Sequence, residues 1–247
     1  MDCRMFVSVG TKEFSSWIYN ALLLASKDDI FLKEFSKNTS HNNGWGMVIF
    51  SNEKEIYLRS SRPIYNDNID LNFFNSSKIY SLFHARLAST NEPKNGPDDS
   101  HPYRIDGEET IYLAHNGHVK KEIIGKKYGI NVNNKTDTEV MAFMLSKFDG
   151  KAEERIKNMI NDLHKLDAVE TLNLLFLVNE MVNKKIYYYS EFTSREKYLT
   201  LFKYKENDNV AIMSSTIAYK LNLVDSELGL LSENVEKVET KKLGVVD

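Results

Sequence analysis

The sequence predicts an α+β protein of layered architecture, and two observations carry that expectation. Strand-like apolar runs dominate the first and last parts of the chain, with helical apolar spacing between them. Strands, then helices, then strands fit an α+β layered fold better than an alternating parallel one. The composition agrees: 42% of residues are hydrophobic and 27% charged, ordinary proportions for a globular protein. At 247 residues the chain is long enough to bury a real core. It shows no long linker, low-complexity tract or internal repeat, so one domain over 1–247 is expected.

The elements follow in order. Cys3 to Val9 is an apolar run that reads as a buried strand. Phe14, Trp17, Ile18, Ala21, Leu22, Leu24 and Ala25 follow helical spacing, and a second short helix is expected over 30–35. Strands are predicted over 45–50, 55–59, 79–85 and 110–114. The stretch from Asn91 to Pro102 holds Pro93, Gly96, Pro97 and Pro102 and reads as a loop. Thr136 with Glu139 three residues on is a capping-box start for a helix reaching Phe148. Glu153 to Leu166 has amphipathic spacing. Strands over 171–178, 185–189, 198–204 and 210–214 complete the reading, and the lysines between Lys120 and Lys127 read as a solvated face.

Charge and composition narrow the function. A formal net charge of −3 gives no electrostatic reason to expect nucleic acid or an anionic membrane as partner. No apolar run approaches the ~18 residues that span a bilayer, and the first residues lack a basic-then-apolar signal pattern. Cys3 is the single cysteine, which excludes an internal disulfide framework and suits a reducing compartment. A cytoplasmic protein is the expectation.

The polar motifs fall at strand ends, where loops carry chemistry on a rigid scaffold. They are His41-Asn42-Asn43-Gly44-Trp45-Gly46, Phe83-His84-Ala85-Arg86-Leu87-Ala88-Ser89-Thr90, Ser100-His101-Pro102-Tyr103, Leu113-Ala114-His115-Asn116-Gly117-His118 and Thr136-Asp137-Thr138-Glu139. Behind a near-terminal Cys3, this ordered set resembles the class II glutamine amidotransferases, N-terminal-nucleophile hydrolases, in their stand-alone form. The resemblance runs from Cys3 to roughly Ser215. It implies a four-layer αββα sandwich of two antiparallel sheets, with the helices from Phe14 and Thr136 in the outer layers.

It also implies hydrolysis of the glutamine side-chain amide through a γ-glutamyl thioester, with release of ammonia and no cofactor or metal. Cys3 would be the nucleophile. Asn116 and the backbone N–H of Gly117 would stabilise the oxyanion, a task in which one donor is typically worth about 10²–10³ in rate. Arg86 offers a planar fork for the substrate carboxylate, and Asp137 would accept from its ammonium group. Ser89 and His101 complete the candidate substrate-binding set. The partner implied is L-glutamine or another γ-glutamyl amide, with a separate synthase subunit as possible ammonia acceptor. One departure is Leu87, where the family often has Trp; it bears on how a neighbouring loop closes.

An N-terminal thiol can use its own α-amine as general base, since their reference pKa values are roughly 8.5 and 8. That arrangement needs Cys3 to be the first residue, whereas Met1 and Asp2 precede it. Removal of a two-residue leader, a start placed too early, and an inactive relative that keeps the fold are the three readings. Plainer readings stand beside the sharp ones. Cys3 alone reads as a small buried hydrophobe, His84 and His115 as core histidines, and Asn116-Gly117 as a hairpin turn. Arg86 reads as a structural ion-pair partner, Asp137 as part of the cap opened by Thr136, and Gly44-Trp45-Gly46 as packing. Two other classes remain: a metal site built from His41, His84, His101, His115 and His118, and a non-catalytic module that grips an amino acid through Arg86 and Asp137.

Overall fold

The computed structural model describes residues 3–52, 54–67, 69–71, 76–180 and 183–246; Met1 and Asp2 lie outside them. In chain order the strands are β1 (Arg4–Gly10), β2 (Trp45–Ser51), β3 (Lys54–Ser60), β4 (Ile79–Ala85), β5 (Tyr103–Ile105), β6 (Thr110–Val119), β7 (Val169–Glu180), β8 (Asn183–Tyr189), β9 (Leu201–Glu206), β10 (Asn209–Ser214), β11 (Val235–Lys237) and β12 (Gly244–Val246). The helices are α1 (Lys12–Lys27), α2 (Lys121–Tyr128), α3 (Asp137–Leu145), α4 (Ala152–Lys165), α5 (Glu196–Leu199) and α6 (Ser215–Lys220). Among the described residues the strands form two antiparallel sheets, ordered β11-β9-β10-β1-β4-β2-β3 and β12-β8-β7-β6-β5.

Side-chain alternation along the strands shows how the layers stack. On β1, Met5, Val7 and Val9 enter a core between the two sheets, where they meet Tyr112 and Ala114 of β6 and Leu175 and Leu177 of β7. Phe6 points the other way, into a second core with Phe14, Ile18, Leu22 and Ala25 of α1 and with Ile217 of α6. A third core lies beyond the smaller sheet, where Ile111 and Leu113 of β6 face Val140, Met141 and Met144 of α3 and Ile156, Met159 and Leu163 of α4. Helix, sheet, sheet, helix is the αββα sandwich. Each fully buried Leu, Ile, Phe or Met contributes roughly 1.5–3 kcal/mol, so the three cores together hold the layers in place.

Most of the expected elements form with shifted ends. Thr136 caps α3 through Oγ1, which accepts from the Glu139 N–H at 2.9 Å. Five differences stand out. Asn116-Gly117 is not a hairpin turn: β6 runs through it to Val119, with Asn116 paired to Asn173 and Gly117 to Leu172 of β7. The short helix expected over 30–35 is a single turn at Leu32–Glu34, opened by Asp29 Oδ1, which accepts from the Phe31 and Leu32 N–H groups. The run 198–204 divides, with Tyr198 in α5 under the Arg4 guanidinium and the strand starting at Leu201. The lysine-rich stretch after Lys120 is α2; Lys126 and Lys127 face solvent as expected, while Ile124 is buried. Trp17 and Leu24, read from spacing as part of the apolar face of α1, are 38% and 56% exposed.

Candidate active site

The two sheets bring Cys3 and Asn116 together by strand periodicity. Asn116 follows Tyr112 and Ala114 on the face of β6 turned toward the larger sheet. Cys3 heads β1, a central strand of that sheet, and is fully buried. The Cys3 backbone N–H donates to Asn116 Oδ1 at 3.0 Å. This fixes the side-chain amide with its Nδ2 turned away, and Nδ2 is buried with no hydrogen-bond partner among the described residues. An unused buried donor beside a thiol-bearing residue is costly unless something occupies it.

Gly117 comes next on the strand. A Cβ there would lie 2.2 Å from the Thr171 carbonyl oxygen of β7, a backbone atom that cannot swing aside. Only glycine lets β6 and β7 approach this closely at that point. Gly117 also lines a cavity of about 530 Å³ with Ser89, His118, Thr171 and the Thr193-Ser194-Arg195 loop.

Arg86 follows β4, one residue beyond the Ala85 that pairs with Arg4, which places it next to Cys3 across the sheet. The first motif holds it there. The Arg86 N–H donates to the Gly44 carbonyl at 2.9 Å, the Asn43 N–H donates to the Arg86 carbonyl at 3.0 Å, and Asn43 Oδ1 accepts from the Ala88 N–H. Gly44 has φ +117, and a Cβ there would sit 2.3 Å from Ser100 Oγ and 2.7 Å from the Ser60 carbonyl. The packing role expected of Gly44-Trp45-Gly46 is therefore present, and Trp45 joins the core beneath α1.

The Arg86 side chain is fully buried. Nη2 donates to the Pro93 carbonyl at 2.8 Å. Nε and Nη1 have no partner, and no carboxylate pairs with this guanidinium among the described residues. The structural ion-pair reading of Arg86 does not hold. A buried, planar, charged donor fork left half open has the chemistry to take an anion.

Asp137 opens α3 and is fully buried. Its Oδ2 accepts from the Val119 N–H at 3.2 Å and faces His118 Nδ1 at 3.4 Å. Burial works against its ionisation, yet the His118 hydrogen bond and the nearby His115 outweigh burial and hold the carboxyl well below the usual range. His118 is pushed up in turn, chiefly by its bond to Asp137. His115 points to the helix side, with Nε2 donating to the Thr171 carbonyl at 3.2 Å and Nδ1 at 3.0 Å from Thr138 Oγ1. Burial lowers it to about 4 despite Asp137, so it is neutral at physiological pH.

His101 stands apart. Its ring packs against His84 with centroids 4.1 Å apart and planes tilted by 36°, Nδ1 accepts from the His115 N–H at 3.3 Å, and Tyr103 lies 5.2 Å away. It is fully buried and does not line the cavity at Gly117. The five histidines considered as a metal site do not converge: His41 bonds Asp29, His84 and His101 pack together, and His115 serves Thr138 and Thr171. Only His118 belongs to a group with potential metal-ligand spacing among the described residues, with Glu92 and Asp137.

Two features were not anticipated from the sequence. One is Glu92, carried to Asp137 by the loop that folds back over Arg86. The other is a dense hydrogen-bond network around Asp29, beside Cys3. Asp29 accepts from Arg4 Nε, His41 Nε2, Thr216 Oγ1 and the Phe31 and Leu32 N–H groups. Arg4 also donates to the Tyr198 carbonyl at 2.9 Å and lies 3.6 Å over its ring. Residue types alone give no signal for either, since both depend on long-range placement.

No family model matches the sequence, and no curated protein does. Solved structures do match. One is described as the allosteric regulatory enzyme of purine biosynthesis; it aligns over 99% of this chain and 47% of its own, at 16% identity and a TM-score of 0.66. The glutamine phosphoribosylpyrophosphate amidotransferase of B. subtilis, complexed with ADP and GMP, aligns over 98% of this chain and 47% of its own, at 15% identity and a TM-score of 0.61. A glutamine aminotransferase class-II domain protein from Silicibacter pomeroyi covers 98% of both chains at 12% identity and a TM-score of 0.47. The chain spans about half the length of the first two. Its fold, an αββα sandwich of two antiparallel sheets, is shared with these two structures, one of which is a glutamine amidotransferase.

Proposed function

We propose that this chain is a class II glutamine amidotransferase domain, one domain over 1–247, that hydrolyses the side-chain amide of L-glutamine or of a related γ-glutamyl amide. The observation that carries this reading is the bond from the Cys3 N–H to Asn116 Oδ1, which leaves the Asn116 Nδ2 donor open beside the thiol-bearing residue. The likeness to solved amidotransferases supports the fold on which it rests.

In this reading the Cys3 thiol gives its proton to a freed α-amine, and the sulfur attacks the δ-carbonyl carbon. The carbonyl electrons move to oxygen, stabilised by Asn116 Nδ2 and the Gly117 N–H. The C–N bond then breaks, the amine's proton leaves with ammonia, and a γ-glutamyl thioester remains. Water adds to the thioester carbonyl, and the thiol departs with the proton to regenerate Cys3 and release glutamate. Arg86 binds the substrate α-carboxylate, Asp137 the α-ammonium, and Ser89 lines the entrance. His101 supports the site from behind, through His84 and the His115 N–H. The ammonia goes to solution or to an acceptor on another chain.

The test is intact mass before and after incubation with a glutamine-mimicking diazoketone, on the 247-residue chain and on a chain beginning at Cys3. One stoichiometric adduct on the Cys3-first chain, lost in Cys3→Ser, is the expected result. A Cys3-first chain that stays unlabelled and inactive would sink the reading.

A further inference from the structure

Glu92 sits where a surface-loop carboxylate has no structural reason to be. Its residue is 7% exposed and its side chain 4%. The backbone puts it there: the Arg86 Nη2 bond to the Pro93 carbonyl folds the loop inward, and the Glu92 N–H donates to the Ser89 carbonyl at 3.1 Å. Ligand atoms of Glu92, His118 and Asp137 then all lie within 4.8 Å of one another. Lys121 Nζ is 3.8 Å from Glu92 Oε1, but it already donates to the Lys135 carbonyl at 2.6 Å. Glu92 Oε2 is buried with no hydrogen-bond partner among the described residues.

A buried carboxylate with an open oxygen, set against a second buried carboxylate, is an unfavourable arrangement for an empty protein. Burial first, and then the charge of Asp137, push Glu92 up to about 7, with Lys121 and Arg86 only partly offsetting them. Among the described residues Glu92 Oε2 receives no hydrogen bond, although Lys121 lies 3.8 Å from Oε1 and His118 faces Asp137. A substrate ammonium supplies the missing donor together with a positive charge. A nitrogen at about 2.8 Å from each of two oxygens bridges any O···O gap up to about 5.6 Å, so it fits these carboxylates as they stand. A metal ion could occupy the same spacing, and it is one of the outcomes of the experiment below.

We propose that Glu92 is a second carboxylate of the ammonium pocket, so that Glu92 and Asp137 together grip the substrate's α-amine while Arg86 holds its carboxylate. This rests on the amidase reading above and sharpens its substrate class. The site selects γ-glutamyl amides whose α-amine is free and rejects those whose amine is missing or acylated.

The experiment is calorimetric titration at pH 8 of the full chain carrying Cys3→Ala, with and without Glu92→Gln. The ligands are L-glutamine, N-acetyl-L-glutamine and glutaramate, the analogue that lacks the amine. The expected result is tightest binding of L-glutamine to the parent, with a loss of about 10–100-fold on Glu92→Gln, the range for a hydrogen bond to a charged group. Binding of glutaramate should be equally weak in both proteins. Equal L-glutamine affinity in the two proteins would overturn the role of Glu92 while leaving the amidase reading intact. Stoichiometric zinc or manganese, retained by the parent and lost in Glu92→Gln, would replace the ammonium pocket with a cation site. No binding of any of the three ligands to the parent would remove both.

Discussion

Two buried arginine–carboxylate–histidine groups flank Cys3, and they are finished to different degrees. Around Arg4, the Asp29 carboxylate accepts from a guanidinium, an imidazole, a hydroxyl and two backbone N–H groups. Around Arg86, two guanidinium nitrogens, one Glu92 oxygen and the Asn116 amide nitrogen lack partners among the described residues. The residue types are nearly the same in the two places. What differs is how the carboxylates are served: Asp29 accepts five hydrogen bonds, whereas Glu92 Oε2 accepts none among the described residues. A carboxylate so fully engaged helps to specify one geometry for the strand that carries Cys3. An unsaturated one keeps its hydrogen-bonding capacity for a ligand, and burial makes that capacity strong when used and costly when unused.

The sharpest way to break this contrast is to make the same substitution in both networks. Arg4→Met leaves Asp29 buried without its main counter-charge, and removal of one partner from a buried pair typically costs about 3–5 kcal/mol. For a chain of this size that is a drop in Tm on the order of 10 °C. Arg86→Met removes a guanidinium with no carboxylate partner, so Tm should change little while L-glutamine binding is lost. Thermal unfolding of the two variants side by side checks this, and equal destabilisation would show that Arg86 is structural after all. The next effect in size is catalytic. Asn116→Ala in a chain beginning at Cys3 should lower turnover by about 10²–10³ with much less change in substrate affinity. Unchanged turnover in steady-state assays would remove Asn116 from the oxyanion role.

The two groups were also unequally legible in the sequence. The α+β class could be anticipated because apolar runs and the Thr136 cap are local signals, and the αββα layers because the ordered motifs resemble a family that has them; Cys3, Arg86, Asn116, Gly117 and Asp137 could be singled out because they stand in those motifs. Asp29 and Arg4 carry no such mark; their pairing depends on α1 returning the chain to the head of β1. Glu92 sits in a stretch without periodicity, and its burial follows from an Arg86 bond to a backbone carbonyl that no residue type announces. His101 was expected against substrate because it follows the motif order, whereas the fold sets it against His84 and Tyr103. Asn116-Gly117 read as a turn because its turn chemistry is strong, yet β7 offers a partner along its whole length, and ladder pairing won over local preference.

The smallest effect separates the two groups by the sign of their pH dependence. Asp29 is held well below the usual carboxylate range: burial opposes ionisation, but Arg4 and His41 outweigh it. A depressed carboxylate contributes stability above its unfolded pKa and loses it only as pH falls through the folded value, so between pH 5 and 8 its contribution is flat. Glu92 runs the other way. Raised to about 7 from 4.5 by burial and by Asp137, it costs the empty protein nothing at low pH and progressively more as pH climbs through neutrality. Glu92→Gln keeps the shape and deletes the charge. It should therefore match the parent near pH 4.5 and be more stable at pH 8, by on the order of 2 kcal/mol. Thermal unfolding of both proteins across that range reads the difference directly. The opposite slope, with the parent gaining on the variant as pH rises, would mean that Glu92 is paired inside the protein and that the open group is as finished as the one around Asp29.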